Sequence, residues 1–348
     1  MKKVFLIAAA VVALAACSKN EVLPSSSINN EISFNVAPRT KADPETFDTH
    51  NVFASWAYYL PNGSTWDKPN GVTPQEYIVN STVSHQTATN TWKCTDKTYY
   101  WPKDDGKLTF FAYSLNRGNL TLIGGDSHIT CDATSGIHGT IDLKENPNTD
   151  FMVAEIAKDK TANESAHSFN GVPTLFKHKL SKVACNVVKA ANYENVKFEL
   201  NKIEFLNVSH FVTYTQITKN GENFLPGKKD TMVYTSENQE IISTPSPVAK
   251  EDVVIYIPQK FTEETDPKKT SKIKVTYTIT TTVEGITPGS TTEVVQTVER
   301  EYLIKDKFAE WEMGKKYIFN LTFSLDEIRW APAVEPWVDA PAGDIDVK

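Results

Sequence analysis

The chain has 348 residues, a formal net charge of −7 and 40 % hydrophobic residues. That length is too great for one ordinary all-β domain and comfortable for two. The acidic balance argues against nucleic acid as a partner and against electrostatic binding to anionic lipid.

The chain opens with Met1-Lys2-Lys3, a short positive stretch, followed by Val4 to Ala16 without a charged or polar residue. Thirteen apolar residues in a helix cover about 20 Å, too short for a bilayer core of about 30 Å. The stretch reads as the apolar part of a signal peptide over residues 1–16. Leu14-Ala15-Ala16-Cys17 places small side chains ahead of a cysteine, the pattern of a lipobox. Cleavage there puts the lipid on the thiol of Cys17 and leaves 332 residues. Removing Lys2 and Lys3 takes the formal charge from −7 to −9. Residues 17–30 are polar and rich in Ser and Asn, which suits a flexible tether on a lipid anchor.

Beyond the tether the chain is rich in Thr, Val, Ile, Tyr and Phe with period-two patterning, which predicts antiparallel sheets. Ile32, Phe34 and Val36 alternate with Ser33 and Asn35, giving a strand with one apolar side. Ala37 to Pro44, which contains Arg39 and Thr40, is a polar segment flanked by prolines and reads as exposed and cleavable. Leu108 to Leu115 is apolar on both faces and predicts a central strand; Val253 to Ile257, closed by Pro258, predicts another. The best short helical candidates, Asp150 to Lys160 and Val187 to Tyr193, do not persist. Lys160 to Val172 is the best boundary, dividing an N-terminal sandwich over residues 31–171 from a C-terminal one over 172–348. In the second half, the alternation Val196, Phe198, Leu200 resumes one residue out of phase at Ile203 and Phe205, predicting a bulge near Asn201-Lys202. Strands are expected over Ile273 to Val283 and Tyr317 to Leu325. The end of the chain, 328–348, supplies Ile328, Trp330, Val334, Trp337, Val338, Ile345 and Val347. Pro332, Pro336, Pro341 and Gly343 interrupt them, which predicts an extended, partly unpaired arm.

Little in the sequence points to catalysis. The seven histidines fall into no close metal-ligand spacing, although His128 and His138 flank Cys131. No phosphate-binding glycine loop and no nucleophile elbow occurs. His178 reads as a satisfied structural histidine. Cys94, Cys131 and Cys185 leave at least one thiol unpaired, with a Cys94–Cys131 bridge left open and Cys185 expected as a buried small hydrophobe. Neither a catalytic residue, a metal nor a cofactor is expected. Trp56, Trp66, Trp92, Trp101, Tyr58, Tyr59, Tyr99 and Tyr100 crowd the first half. Core packing accounts for most of them; exposed members would offer a glycan platform.

Several segments, in this order, resemble the fimbrillin family of Bacteroidia, the lipoprotein precursors of type V pilus subunits. They are Ile32-Ser33-Phe34, Arg39-Thr40-Lys41-Ala42, Tyr99 to Pro102, Leu108 to Ser114, Asp150 to Ala154, Phe176 to Val183, and the run from Trp311 and Gly314 through Trp337. The resemblance implies an all-β chain of two tandem transthyretin-like Greek-key β-sandwich domains and no catalytic activity. It implies cleavage at Arg39–Thr40 by an arginine-specific protease, release of the strand carrying Ile32, Phe34 and Val36, and its replacement by a donor arm from another fimbrial subunit. Three buried side chains of this kind would contribute about 5–9 kcal/mol to such a groove. The expected partners are therefore other subunits of a homo- or heteropolymer, the outer membrane before maturation, and a host glycan or protein ligand. The competing function is a stand-alone surface lipoprotein that binds glycan through its aromatic first domain.

Overall fold

The computed structural model of the chain describes residues 31–36, 47–117, 120–121, 128–145, 147–162, 171–248, 254–325 and 328–337. Among these residues the fold is all β. The first half contributes β1 (Phe34–Asn35), β2 (Phe53–Leu60), β3 (Gln75–Gln86), β4 (Thr91–Cys94), β5 (Lys107–Arg117), β6 (Leu120–Thr121), β7 (Ile129–Asp132), β8 (Gly136–Asp142), β9 (Asp150–Ala154) and β10 (Ala157–Lys160). The second half contributes β11 (Val172–Pro173), β12 (Phe176–His178), β13 (Ser181–Lys189), β14 (Val196–Thr218), β15 (Gly221–Thr235), β16 (Gln239–Ile241), β17 (Ser246–Pro247) and β18 (Val254–Tyr256). It continues with β19 (Gln259–Lys260), β20 (Lys272–Glu284), β21 (Thr291–Leu303), β22 (Glu310–Trp311), β23 (Lys315–Phe323) and β24 (Ile328–Pro336). A 3-10 turn over Ile304–Asp306 is the single helical element described. The segment considered for a helix at Asp150 to Lys160 is β9 and β10, and Val187 to Lys189 completes β13.

The first sheet runs β11-β1-β4-β3-β2-β5-β9-β12, with β6 and β10 also on β5. Its two end strands, β11 and β12, are separated in sequence by only Thr174 and Leu175, so the sheet curls back toward itself. The curl makes two-sided strands. Along β5, Leu108, Phe110 and Ala112 enter one core while Phe111, Tyr113 and Leu115 enter another. This is why Leu108 to Leu115 is apolar on both faces, and β5 is the central strand its pattern predicts.

A second sheet runs β17-β13-β23-β24 with β18 on β13, and a third runs β21-β20-β14-β8-β7 with β15 and β16 on β14. Val183, Cys185 and Val187 face Phe198, Leu200 and Phe205 across a core between these sheets. The predicted bulge is present: the pairing of β14 with β20 shifts register between Leu200 and Lys202. The Val253 to Ile257 run behaves differently from expectation. Among the described residues its β18 is three residues long and pairs with β13 alone. Its apolar residues serve two cores instead, Tyr256 in the C-terminal core and Ile255 and Ile257 in the one shared between halves. Burial on both sides therefore comes from position between two cores, with no strand needed on each flank.

The halves are tied together. β7 and β8 join the third sheet through β14, with Phe211 to Thr215 opposite His138 to Asp142. β12 pairs with β9, and β11 with β1.

Candidate functional site

The first strand occupies a narrow slot. Ile32 and Phe34 are each 2 % exposed and Val36 is half-buried. β1 lies antiparallel to β4, with Phe34 opposite Trp92, and parallel to β11, with Phe34 opposite Val172. Its backbone bonds run to both sides: Ile32 N–H donates to Tyr99 O at 2.8 Å, Val172 N–H to Ser33 O at 2.7 Å and Thr174 N–H to Asn35 O at 2.9 Å. Pro173, opposite Asn35, has no N–H to give. Gly171 makes the close approach feasible. It sits at φ +85°, and a Cβ there would lie 2.7 Å from Ser33 O. The Phe34 ring meets Phe53 at 5.5 Å and Phe110 at 5.9 Å, both edge to face. A Lys93–Glu31 ion pair at 2.7 Å holds the start of the segment. Without residues 31–36, the core around Phe53, Trp92, Phe110 and Val172 would open along the gap between β4 and β11.

The last strand has the opposite character. β24 pairs antiparallel with β23 from Ile328 opposite Phe323 to Pro336 opposite Lys315, and Trp330 stands opposite Leu321. Among the described residues it is an edge strand with one partner, so Pro332 and Pro336 cost few ladder bonds. Ile328 is buried and Val334 is half-exposed. Trp337, which follows β24, is 1 % exposed. Its N–H donates to Gly314 O at 3.0 Å, its ring stacks on His178 at 3.8 Å, and Lys182 Nζ lies 4.1 Å from the ring centre. His178 Nδ1 in turn lies 2.9 Å from Asp150 Oδ2. The C-terminal arm is thus fastened to the body at Trp337, beside the junction of the halves.

Cys17, Arg39, Thr40, Val338, Ile345 and Val347 lie outside the described residues. The remaining cysteines, Cys94, Cys131 and Cys185, are free thiols. Burial pushes Cys94 up to about 11 and raises Cys131 and Cys185 further. No grouping of three or more His, Cys, Asp or Glu that would hold a metal occurs among the described residues. Of the crowded aromatics, Trp56, Trp92, Trp101, Tyr58 and Tyr99 are core residues, while Tyr100 is 57 % exposed.

Sequence reasoning did not identify the walls of the slot, Trp92 on β4 and Val172 on β11. It also did not identify the His178–Trp337 stack, because the two residues are far apart in the chain and neither carries a motif.

Three comparisons bear on this arrangement. A family model described as fimbrillin-like matches residues 40–337. Fimbrium subunit Fim1C of Phocaeicola vulgatus is 22 % identical, with 99 % of each chain covered. The crystal structure of a fimbrial protein from Bacteroides vulgatus superposes with a TM-score of 0.56 at 16 % identity, covering 89 % of this chain and 100 % of that one. A protein assigned to cell adhesion from Bacteroides uniformis gives a TM-score of 0.50 at 18 % identity over the same shares. At these identities the solved structures establish the fold alone. The family match spans most of the chain, including the described part of the C-terminal arm, and the chain belongs to the fimbrillin-like family, a family of fimbrial structural subunits and not of enzymes.

Proposed function

We propose that this fimbrial subunit is exported as an outer-membrane lipoprotein through Cys17, matured by cleavage between Arg39 and Thr40, and polymerised by donor-strand exchange at the cell surface. The observation that carries the reading is the slot of β1. Two fully buried side chains, Ile32 just ahead of β1 and Phe34 on it, belong to a segment whose strand is only two residues long. Their burial contributes about 3–6 kcal/mol, a sum that a strand of similar apolar pattern could restore. The slot offers backbone partners on both sides, so an incoming strand would gain main-chain bonds as well as side-chain burial. Arg39 lies three residues after Val36, so a cut there frees the segment from the rest of the chain.

The donor in this reading is the C-terminal arm of another subunit, carrying Ile328, Trp330, Val334, Trp337, Val338, Ile345 and Val347. Support comes from the single-sided pairing of β24 among the described residues and from the buried residues that fasten its two ends, Ile328 and Trp337. Other fimbrial subunits are the partners, and a host glycan or protein is the adhesive ligand.

The test is treatment of purified protein with an arginine-specific protease, followed by mass analysis and electrophoresis without boiling. A single cut after Arg39 with SDS-resistant oligomers, absent when residues 328–348 are deleted, is the expected result. Protein that is cut there and stays monomeric would overturn strand exchange.

A further inference from the structure

A cleft at one end of the first sheet lies apart from the strand slot, and its two tyrosines, Tyr59 and Tyr77, rest against the N-terminal core. It opens between Tyr59 at the end of β2, Gln75, Glu76 and Tyr77 at the start of β3, and Lys103 and Asp104 in the loop ahead of β5. Its volume is about 390 Å³, within the about 300–1,000 Å³ usual for small-molecule sites.

Both aromatic side chains are fixed in place. The Tyr59 hydroxyl donates to Asp104 Oδ2. Gly106 lies against the Tyr59 ring so closely that a methyl group there would overlap it. The Tyr77 hydroxyl donates to the Tyr100 carbonyl. A ligand would therefore meet rings already ordered, which removes part of the entropy cost of binding. Around them the polar groups are exposed: an amide on Gln75, carboxylates on Glu76 and Asp104, and an ammonium on Lys103. The Tyr59 hydroxyl bond holds the Asp104 carboxyl below its ordinary range, so it is an acceptor at neutral pH.

Half-buried tyrosines beside planar polar groups match the chemistry of one ligand class. A pyranose has a face of C–H groups that packs on an aromatic ring and a rim of hydroxyls that pairs with carboxylates and amides. The cleft is also selective by charge. Glu76 and Asp104, with Asp105 adjoining, outnumber Lys103, so an anionic sugar meets net repulsion. We propose that this cleft binds a neutral hexose unit of a glycan chain. The site does not depend on strand exchange, so its failure and that of the assembly reading are separable.

The experiment is saturation-transfer NMR on the intact chain with methyl galactoside, methyl glucoside and methyl mannoside, each at ~10 mM to suit millimolar affinity. N-acetylneuraminic acid at the same concentration is the anionic control. The expected result is transfer to at least one neutral hexoside and none to the anionic sugar. A Gln75→Ala/Glu76→Ala double variant alters two exposed side chains of the cleft and leaves the Asp104 bond to Tyr59 in place, so it keeps the fold, as near-ultraviolet circular dichroism would verify. It should weaken binding by about tenfold, the loss of roughly one good polar contact. The proposal is overturned by no transfer to any of the three hexosides, by transfer to the anionic sugar alone, or by undiminished affinity in the double variant.

Discussion

Phe34 joins a two-residue strand to a large aromatic core. It is 2 % exposed, it packs edge to face on Phe53 and Phe110, and it stands opposite Trp92 on one side and Val172 on the other. Each well-placed aromatic pair adds about 0.5–1.5 kcal/mol beyond its buried area. Phe34→Ala should therefore destabilise the uncleaved protein by about 3–5 kcal/mol, the usual range for a buried phenylalanine. Urea unfolding followed by tryptophan fluorescence measures this, and an unchanged midpoint would mean that β1 does not seal the core. The alternation of Ile32, Phe34 and Val36 was readable in the sequence because apolar and polar residues simply alternate. That Val36 is only half-buried was not readable, since the last paired residue of β1 is Asn35 and nothing local marks where the slot ends.

Elements show which kinds of pattern carry information. In β14 the phase slip between Leu200 and Ile203 announced a bulge, because an extra residue shifts every later side chain to the other face. The pairing of β14 with β15 holds further shifts that no phase slip marks, one of them between Phe205 and Val208. There Asn207 sits at φ 56°, donates through Nδ2 to Thr270 O at 3.2 Å and accepts at its own carbonyl from Ser271 Oγ at 2.7 Å. Asparagine tolerates that backbone region better than most residues, and this is the sign the sequence held. Asn207→Ala should cost about 1–3 kcal/mol, from left-handed strain and the lost amide bonds to the Lys268 and Thr270 carbonyls. Asn207→Gly loses the same bonds without the strain and should cost less. Urea midpoints of both variants decide it; a glycine variant as unstable as the alanine one would remove strain from the account. Leu108 to Leu115 and Val253 to Ile257 teach the converse. Both carry apolar residues on both faces, yet one is a central strand and the other a short strand between two cores, because local composition reports burial and does not report pairing.

At the scale of the whole molecule, the sequence revealed two β-rich halves but not their coupling, because pairing between distant strands leaves no local mark. β14 continues past its own sandwich to pair with β8, and a shared core includes Trp56 and Phe151 from one half with Tyr214, Ile257 and Trp337 from the other. Fluorescence and far-ultraviolet circular dichroism should therefore follow one coincident urea transition. Asp142 on β8 and His210 on β14 clasp the same junction, with Nδ1 2.8 Å from Oδ1. Burial pushes the Asp142 carboxyl up, but bonds from the His210 ring and the Lys144 amide outweigh it and hold the carboxyl below its ordinary value. A carboxyl lowered by folding takes up its proton first in the unfolded chain. Its stabilisation is full above the unfolded value of about 3.9 and is lost as pH falls through the lower folded value. Asp142→Asn should therefore be less stable than the parent at pH 7, and its stability should fall less steeply in acid. Asp96 and Asp132 are also held low, so some slope would persist. Equal acid slopes in the two proteins would show that the clasp contributes nothing to the junction. A shallower slope in the variant, with the two probes still coincident, would place part of the acid sensitivity of the entire fold at the strand crossing between its halves.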